Sequence, residues 1–135
     1  MGITYRIQAK AVIIICADHY THPQFAAVFQ EAIQDPNFRP PMSLVVDARQ
    51  SKANPSLDQI ESMVNFLGSF HELLTLRSAI IAAPNSLLYG LGRMYAALAA
   101  VKGFTVEIFS RQREALAWLA RADDAQQPEP PCRCA

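Results

Sequence analysis

The sequence predicts an α/β domain: a single mixed, mostly parallel five-stranded sheet with four helices, opening on an N-terminal β-hairpin. Three observations carry this reading. The runs Val12–Cys16, Ser43–Asp47 and Ser78–Ala83 are apolar at their centres, as strands buried on both faces are. Each is followed by a polar stretch and then by apolar residues at helical spacing. Strands separated by helices in this way pair in parallel through right-handed crossovers.

The elements follow in order. Ile3, Tyr5 and Ile7 alternate with Thr4, Arg6 and Gln8, the period of an edge strand with one wet face. A turn around Gln8 to Lys10 returns the chain into Val12–Cys16 and makes the hairpin. Thr21 and Gln24 form a capping box for a first helix, whose stripe is Phe25, Val28, Phe29, Ala32 and Ile33 and which ends before Pro36. Ser43–Asp47 is the next strand, closed by the polar stretch Arg49 to Asn54. Ser56 and Gln59 cap a second helix with the stripe Ile60, Met63, Val64, Leu67, Phe70 and Leu74. Pro84 stops the strand Ser78–Ala83, and Asn85 or Ser86 caps a third helix that turns Leu87, Leu91, Met94, Tyr95 and Leu98 inward until Gly103. Phe104, Val106 and Ile108 alternate as a second edge strand. Ser110 caps the last helix, docked by Leu116 and Leu119, with Trp118 in that contact or on its flank.

The chain of 135 residues is the size of one domain, expected over 1–122, with 123–135 a disordered tail too poor in apolar groups to pack. It is 51% hydrophobic and 18% charged, and its 12 basic and 12 acidic residues balance, so no long-range field draws in nucleic acid. The apolar run Ala11 to Ala17 is far too short for a membrane span. The first residues lack a basic head and apolar core, and three cysteines form no disulfide framework, so a cytoplasmic protein with reduced thiols is expected.

The residues that could carry chemistry do not assemble into a catalytic set. Asp18, His19 and His22 make a polar cluster at a strand end, where open α/β sheets bind ligands, but a zinc site needs a third protein ligand, and His71 with Glu72 stands on another element. Cys16 lies in a buried strand, which disfavours its thiolate. Cys132 and Cys134 are two thiols, which do not make a structural metal site. No cofactor is implied. Gly90 and Gly92 sit inside a helical pattern, outside any dinucleotide fingerprint; they mark either close packing on the sheet or an interface patch with Tyr89 and Arg93. Ser56 reads as a helix cap and, alternatively, as a phosphorylation point, with Ser51 in the same loop.

The paired N-terminal strands, the Asp-ended strand before a capped helix, and the stretches Asp47, Ser56, Tyr89-Gly90-Leu91 and Arg93-Met94-Tyr95 resemble the STAS and SpoIIAA-like families over about residues 3 to 120. The resemblance implies a SpoIIAA-like (STAS-like) fold and a non-enzymatic regulatory module like the anti-sigma-factor antagonists, which bind a kinase-like partner and are switched by serine phosphorylation. Ser56 stands at the matching distance from Asp47, within Asn54-Pro55-Ser56-Leu57-Asp58 rather than the family's Asp-Ser-Ser-Gly. Asp47, Asn54 and Asp58 would then belong to the interaction loop. Alternatively, the same fold binds a small lipophilic or nucleotide ligand between helices and sheet, lined by Phe25, Phe29, Met63, Phe66 and Tyr89. Charge guards both edge strands, so a homodimer, if one forms, is expected to use the helix surface at Tyr89, Gly90 and Arg93.

Overall fold

A computed structural model of the chain describes residues 2–8 and 10–125. Nine elements follow one another: β1 (Ile3–Gln8), β2 (Ala11–Asp18), α1 (His22–Ile33), β3 (Met42–Ser51), α2 (Leu57–Gly68), β4 (Leu74–Ile81), α3 (Leu87–Val101), β5 (Thr105–Phe109) and α4 (Gln112–Ala125). The five strands form one sheet in the order β1-β2-β3-β4-β5. β1 pairs antiparallel with β2, and β2 to β5 run parallel. The expected hairpin, mixed sheet and edge strands are all present. The tail cysteines Cys132 and Cys134 lie outside the described residues, and α4 continues three residues past the boundary expected at 122.

Every crossover steps one strand in the same direction. Connections of one hand that step the same way fall on the same face, so α1, α2 and α3 share one side of the sheet. The cores agree with this. Val12, Ile14, Cys16 and Leu44 pack with Phe25 and Phe29 of α1 and Leu67 of α2. The alternate residues Ile13, Val45, Ala79 and Ile81 point the other way and meet Ala115 and Leu119 of α4. Among the described residues α4 alone covers the second face.

Capping decides the helix starts. Thr21 accepts from the Gln24 N–H while Gln24 Oε1 accepts from the Thr21 N–H, and Ser56 with Gln59 repeats the arrangement. Ser86, rather than Asn85, caps α3 by accepting from the Tyr89 N–H at 3.1 Å. Gly103, at φ 91, ends that helix as expected.

Four expectations are corrected. β3 runs on through Ser51, because Gln50 and Ser51 find partners in Ala17 and Asp18 of a longer β2. α2 stops at Gly68, where the Ser69 hydroxyl donates to the Phe66 carbonyl, so Leu74 opens β4 against Met42 instead of extending the helix stripe. Leu87 and Met94 face solvent at 60% and 41% exposure, because α3 turns its Gly92 side to the sheet. Ser110 is not a cap: the first turn of α4 bonds back to the Arg111 carbonyl.

Asp47 is buried on the α4 side and makes a two-pronged pair with Arg49, at 2.7 and 3.0 Å. Burial alone would raise its carboxyl, but the Arg49 hydrogen bonds and charge, with Arg6 beyond, outweigh it and hold the group below the usual carboxylate range. A depressed folded value means the stabilisation is present above the unfolded pKa of about 3.9 and is lost as pH falls through the folded value. Because Arg49 is exposed, the gain is at most about 1 kcal/mol. Urea midpoints should therefore show Asp47→Asn less stable than the parent at neutral pH, with the gap closing below about pH 4.

Candidate functional site

A cavity of about 250 Å³ lies between the sheet and the three helices of the first face. Its floor is β3 and β4, through Leu44, Val46, Ser78 and Ile80. These side chains point into it because they alternate with Val45 and Ala79, which serve the other core. One wall is α2, through Ile60, Met63 and Leu67; the other is α3, through Leu88, Leu91 and Tyr95. The loops after β2 and β3 close the end with His19, Tyr20, Asn54 and Pro55. That is the carboxyl end of the parallel strands, where open α/β sheets hold ligands.

Gly92 makes the width of the cavity. A Cβ there would stand 3.0 Å from Ile108 Cδ1 and 3.7 Å from Ile80 Cγ2, so α3 seats its backbone directly on the sheet. Two residues in left-handed backbone stand at strand-to-helix connections, Asp18 (φ 56) at the end of β2 and Asn85 (φ 60) after β4. Asp and Asn tolerate that region better than most residues.

The lining is mainly apolar, and its polar side chains are His19, Tyr20, His22, Asn54, Gln59, Ser78 and Tyr95. Burial pushes the Tyr95 phenol above its ordinary range, and neither it nor Ser78 hydrogen-bonds another described residue. Burial likewise raises the Tyr20 phenol, which lies against Cys16 and Ser51. His22 sits edge-on to Phe66 at 5.5 Å, with its Nδ1 enclosed and without a hydrogen-bond partner. Cys16 is pushed up to about 12 by burial, only partly relieved by Tyr20, and so stays a thiol. Among the described residues no three His, Cys, Asp or Glu side chains gather to hold a metal. No described helix is long and apolar enough to cross a membrane.

The structure separates several residues that the sequence reading grouped. Of the five expected lining residues, Phe25 and Met63 line the cavity. Phe29 and Phe66 instead stack edge-to-face with each other and with Phe70, at 4.9 to 5.8 Å, and fill the space beyond it. Tyr89 stands outside. Asp47 faces α4, on the opposite side of the sheet from Asn54. Asp58 is exposed in the first turn of α2, and Ser56 is an exposed cap. Ser51 is half-buried and accepts from the Ala53 N–H at 3.1 Å. Gly90 and Arg93 lie on the outer face of α3, where a Cβ on Gly90 would meet nothing within 4 Å. Leu88 and Ser78 were missed, and Tyr95, expected to face inward, was not assigned to the cavity. Fixing the phase of α3 from its Ser86 cap would have turned Leu88 inward.

No family model matches the sequence, and no curated protein does either. Among solved structures, the chain is similar to an uncharacterised protein of the DUF3478 family with a SpoIIAA-like fold from Shewanella loihica PV-4. The two are 21% identical, with a TM-score of 0.60 over 87% of this chain and 94% of the other. The likeness establishes that this chain has a SpoIIAA-like fold.

Proposed function

We propose that the protein is a non-enzymatic binding module that takes a small lipophilic ligand in the cavity between the sheet and α1, α2 and α3. The observation that carries this reading is the cavity itself: an apolar, sheet-floored space at the carboxyl ends of the strands, larger than the roughly 150 Å³ that suffices for benzene. Cys16 offers no nucleophile, in keeping with a fold whose members are typically not enzymes. The test is titration with naphthalene, followed by the methyl NMR signals of Leu88, Leu91 and Ile80. Binding should shift those signals, and Leu88→Trp, which fills the cavity from its half-buried wall, should weaken it at least about tenfold while the fold persists. Shifts absent from the parent, or unaffected by Leu88→Trp, would refute cavity binding.

The loop Ala53–Pro55 is cavity wall on one side and surface on the other, and Ser56 follows it. A regulatory reading places the partner here, with phosphorylation of Ser56 adding a dianion where the cap now sits. Whatever the partner, Ser56→Ala removes the bond to the Gln59 N–H and is expected to lower stability by about 1 kcal/mol in chemical unfolding.

A second reading, self-association, is favoured by the outer face of α3. Leu87, Gly90, Met94, Ala97 and Val101 recur at alternating steps of three and four and are all exposed, Val101 at 84%. This is the spacing of a seam between two helices, and the small residues let two backbones approach. Sedimentation of the parent should show a dimer that Met94→Glu converts to monomer with unchanged circular dichroism. A parent that sediments as a monomer refutes this reading.

A further inference from the structure

We infer that the cavity ligand is an uncharged, largely apolar molecule of about nine to twelve heavy atoms bearing one hydroxyl, which pairs with the Tyr95 phenol and the Ser78 hydroxyl. The inference rests on the cavity reading and specifies its ligand.

Size gives the first limit. A cavity of roughly 150 Å³ holds the six carbons of benzene, so about 250 Å³ holds about ten heavy atoms, the bulk of a fused bicycle or a short branched chain. Charge gives the second. No Lys, Arg, Asp or Glu lines the cavity, and its two histidines, His19 and His22, belong to the loop after β2 and the start of α1, so a phosphate or carboxylate held beside Tyr95 and Ser78 would have no Lys or Arg as counter-ion, at a cost of several kcal/mol. That argues against a nucleotide. The third limit is the polar inventory. Tyr95 on α3 and Ser78 on β4 face the same cavity from its wall and its floor, and neither spends its hydroxyl on another described residue. Buried phenols ordinarily find a partner, and a ligand hydroxyl can accept from one of these groups and donate to the other. His22 also lines the cavity, with its Nδ1 buried and without a hydrogen-bond partner among the described residues and its ring edge-on to Phe66. A purely apolar ligand would fill the space but leave both hydroxyls unmatched.

Three matched probes separate these statements: naphthalene, 2-naphthol and 2-naphthoate, titrated at neutral pH into the full chain and followed by the same cavity methyl signals. One net hydrogen bond corresponds to about a fivefold gain, so 2-naphthol should bind about fivefold more tightly than naphthalene. 2-Naphthoate should bind at least about tenfold more weakly than 2-naphthol. Tyr95→Phe together with Ser78→Ala should bring 2-naphthol down to the affinity of naphthalene and leave naphthalene unchanged, which a merely structural role for the two hydroxyls would not do. If naphthalene binds but 2-naphthol gains nothing, or if 2-naphthoate binds as well as 2-naphthol, the ligand class is overturned while the cavity reading stands. If none of the three binds, both fall.

Discussion

Phe29→Ala should destabilise the protein by about 3–5 kcal/mol, the largest loss expected from a single truncation on the first face. Phe29 is fully buried and packs edge-to-face on Phe70 at 4.9 Å and on Phe66 at 5.8 Å. Removing the ring forfeits its burial, leaves a void among stiff neighbours and unseats two aromatic contacts together. At this chain length each kcal/mol lowers the melting temperature by about 3–5 °C, so the midpoint should fall by at least about 10 °C. Phe29 does not line the cavity, so naphthalene should still shift the Leu88 and Leu91 signals in the folded fraction. A loss below about 1 kcal/mol would mean that the aromatic cluster collapses freely around the gap.

Leu119→Ala is expected to cost about 2–4 kcal/mol for a different reason. Leu119 is 4% exposed and, with Ala115, is a buried residue through which α4 meets Ile13, Val45, Ala79 and Ile81. Among the described residues one helix covers this face, so no neighbouring helix shares the loss. The chain has one tryptophan, Trp118, tilted against Phe109 at 5.6 Å and under the Arg77 guanidinium at 5.6 Å. Its emission therefore reports the docking of α4. Leu119→Ala should shift the emission of the native protein to the red, whereas Phe29→Ala, on the opposite side of the sheet, should leave it unchanged. Equal spectra for both variants would show that Trp118 is held independently of Leu119.

The architecture was legible because strand and helix signals rarely conflict in this chain. β-Branched runs bounded by polar stretches identified β2, β3 and β4, and the Thr21 and Ser56 capping boxes set two helix starts. The errors came where a local pattern admitted two phases. Leu74 fits the period of α2, yet it pairs with Met42, since the bond from Ser69 had already closed the helix. On α3, with Leu, Tyr, Met and Ala around most of its circumference, hydropathy does not choose an inner face, and the close approach of Gly92 to Ile108 does. The cavity was legible only as a location. Its floor depends on which residues of β3 and β4 alternate upward, and its width on the seating of α3 at Gly92, which the sequence offered only as one of two readings of its helical glycines. Asp47 and Asn54 are near in sequence but fall on opposite faces, because strand alternation turns Asp47 toward α4 while Asn54 lies in the loop beyond Ser51 that closes the cavity end.

The strand order repeats the chain order, and this bears on how the protein is made. Each strand pairs with the one synthesised just before it, so the sheet can grow from one side as the polypeptide lengthens, without waiting for a distant segment. The helices α1 to α3 arrive between the strands they cover, but residues 112–125 follow all five strands. At about 5–20 residues per second, the face formed by Ile13, Val45, Ala79 and Ile81 stays open to water for about a second or more after β4 has been made. In that interval the nascent sheet presents one apolar surface, and a chaperone that shields it would hand it over to α4.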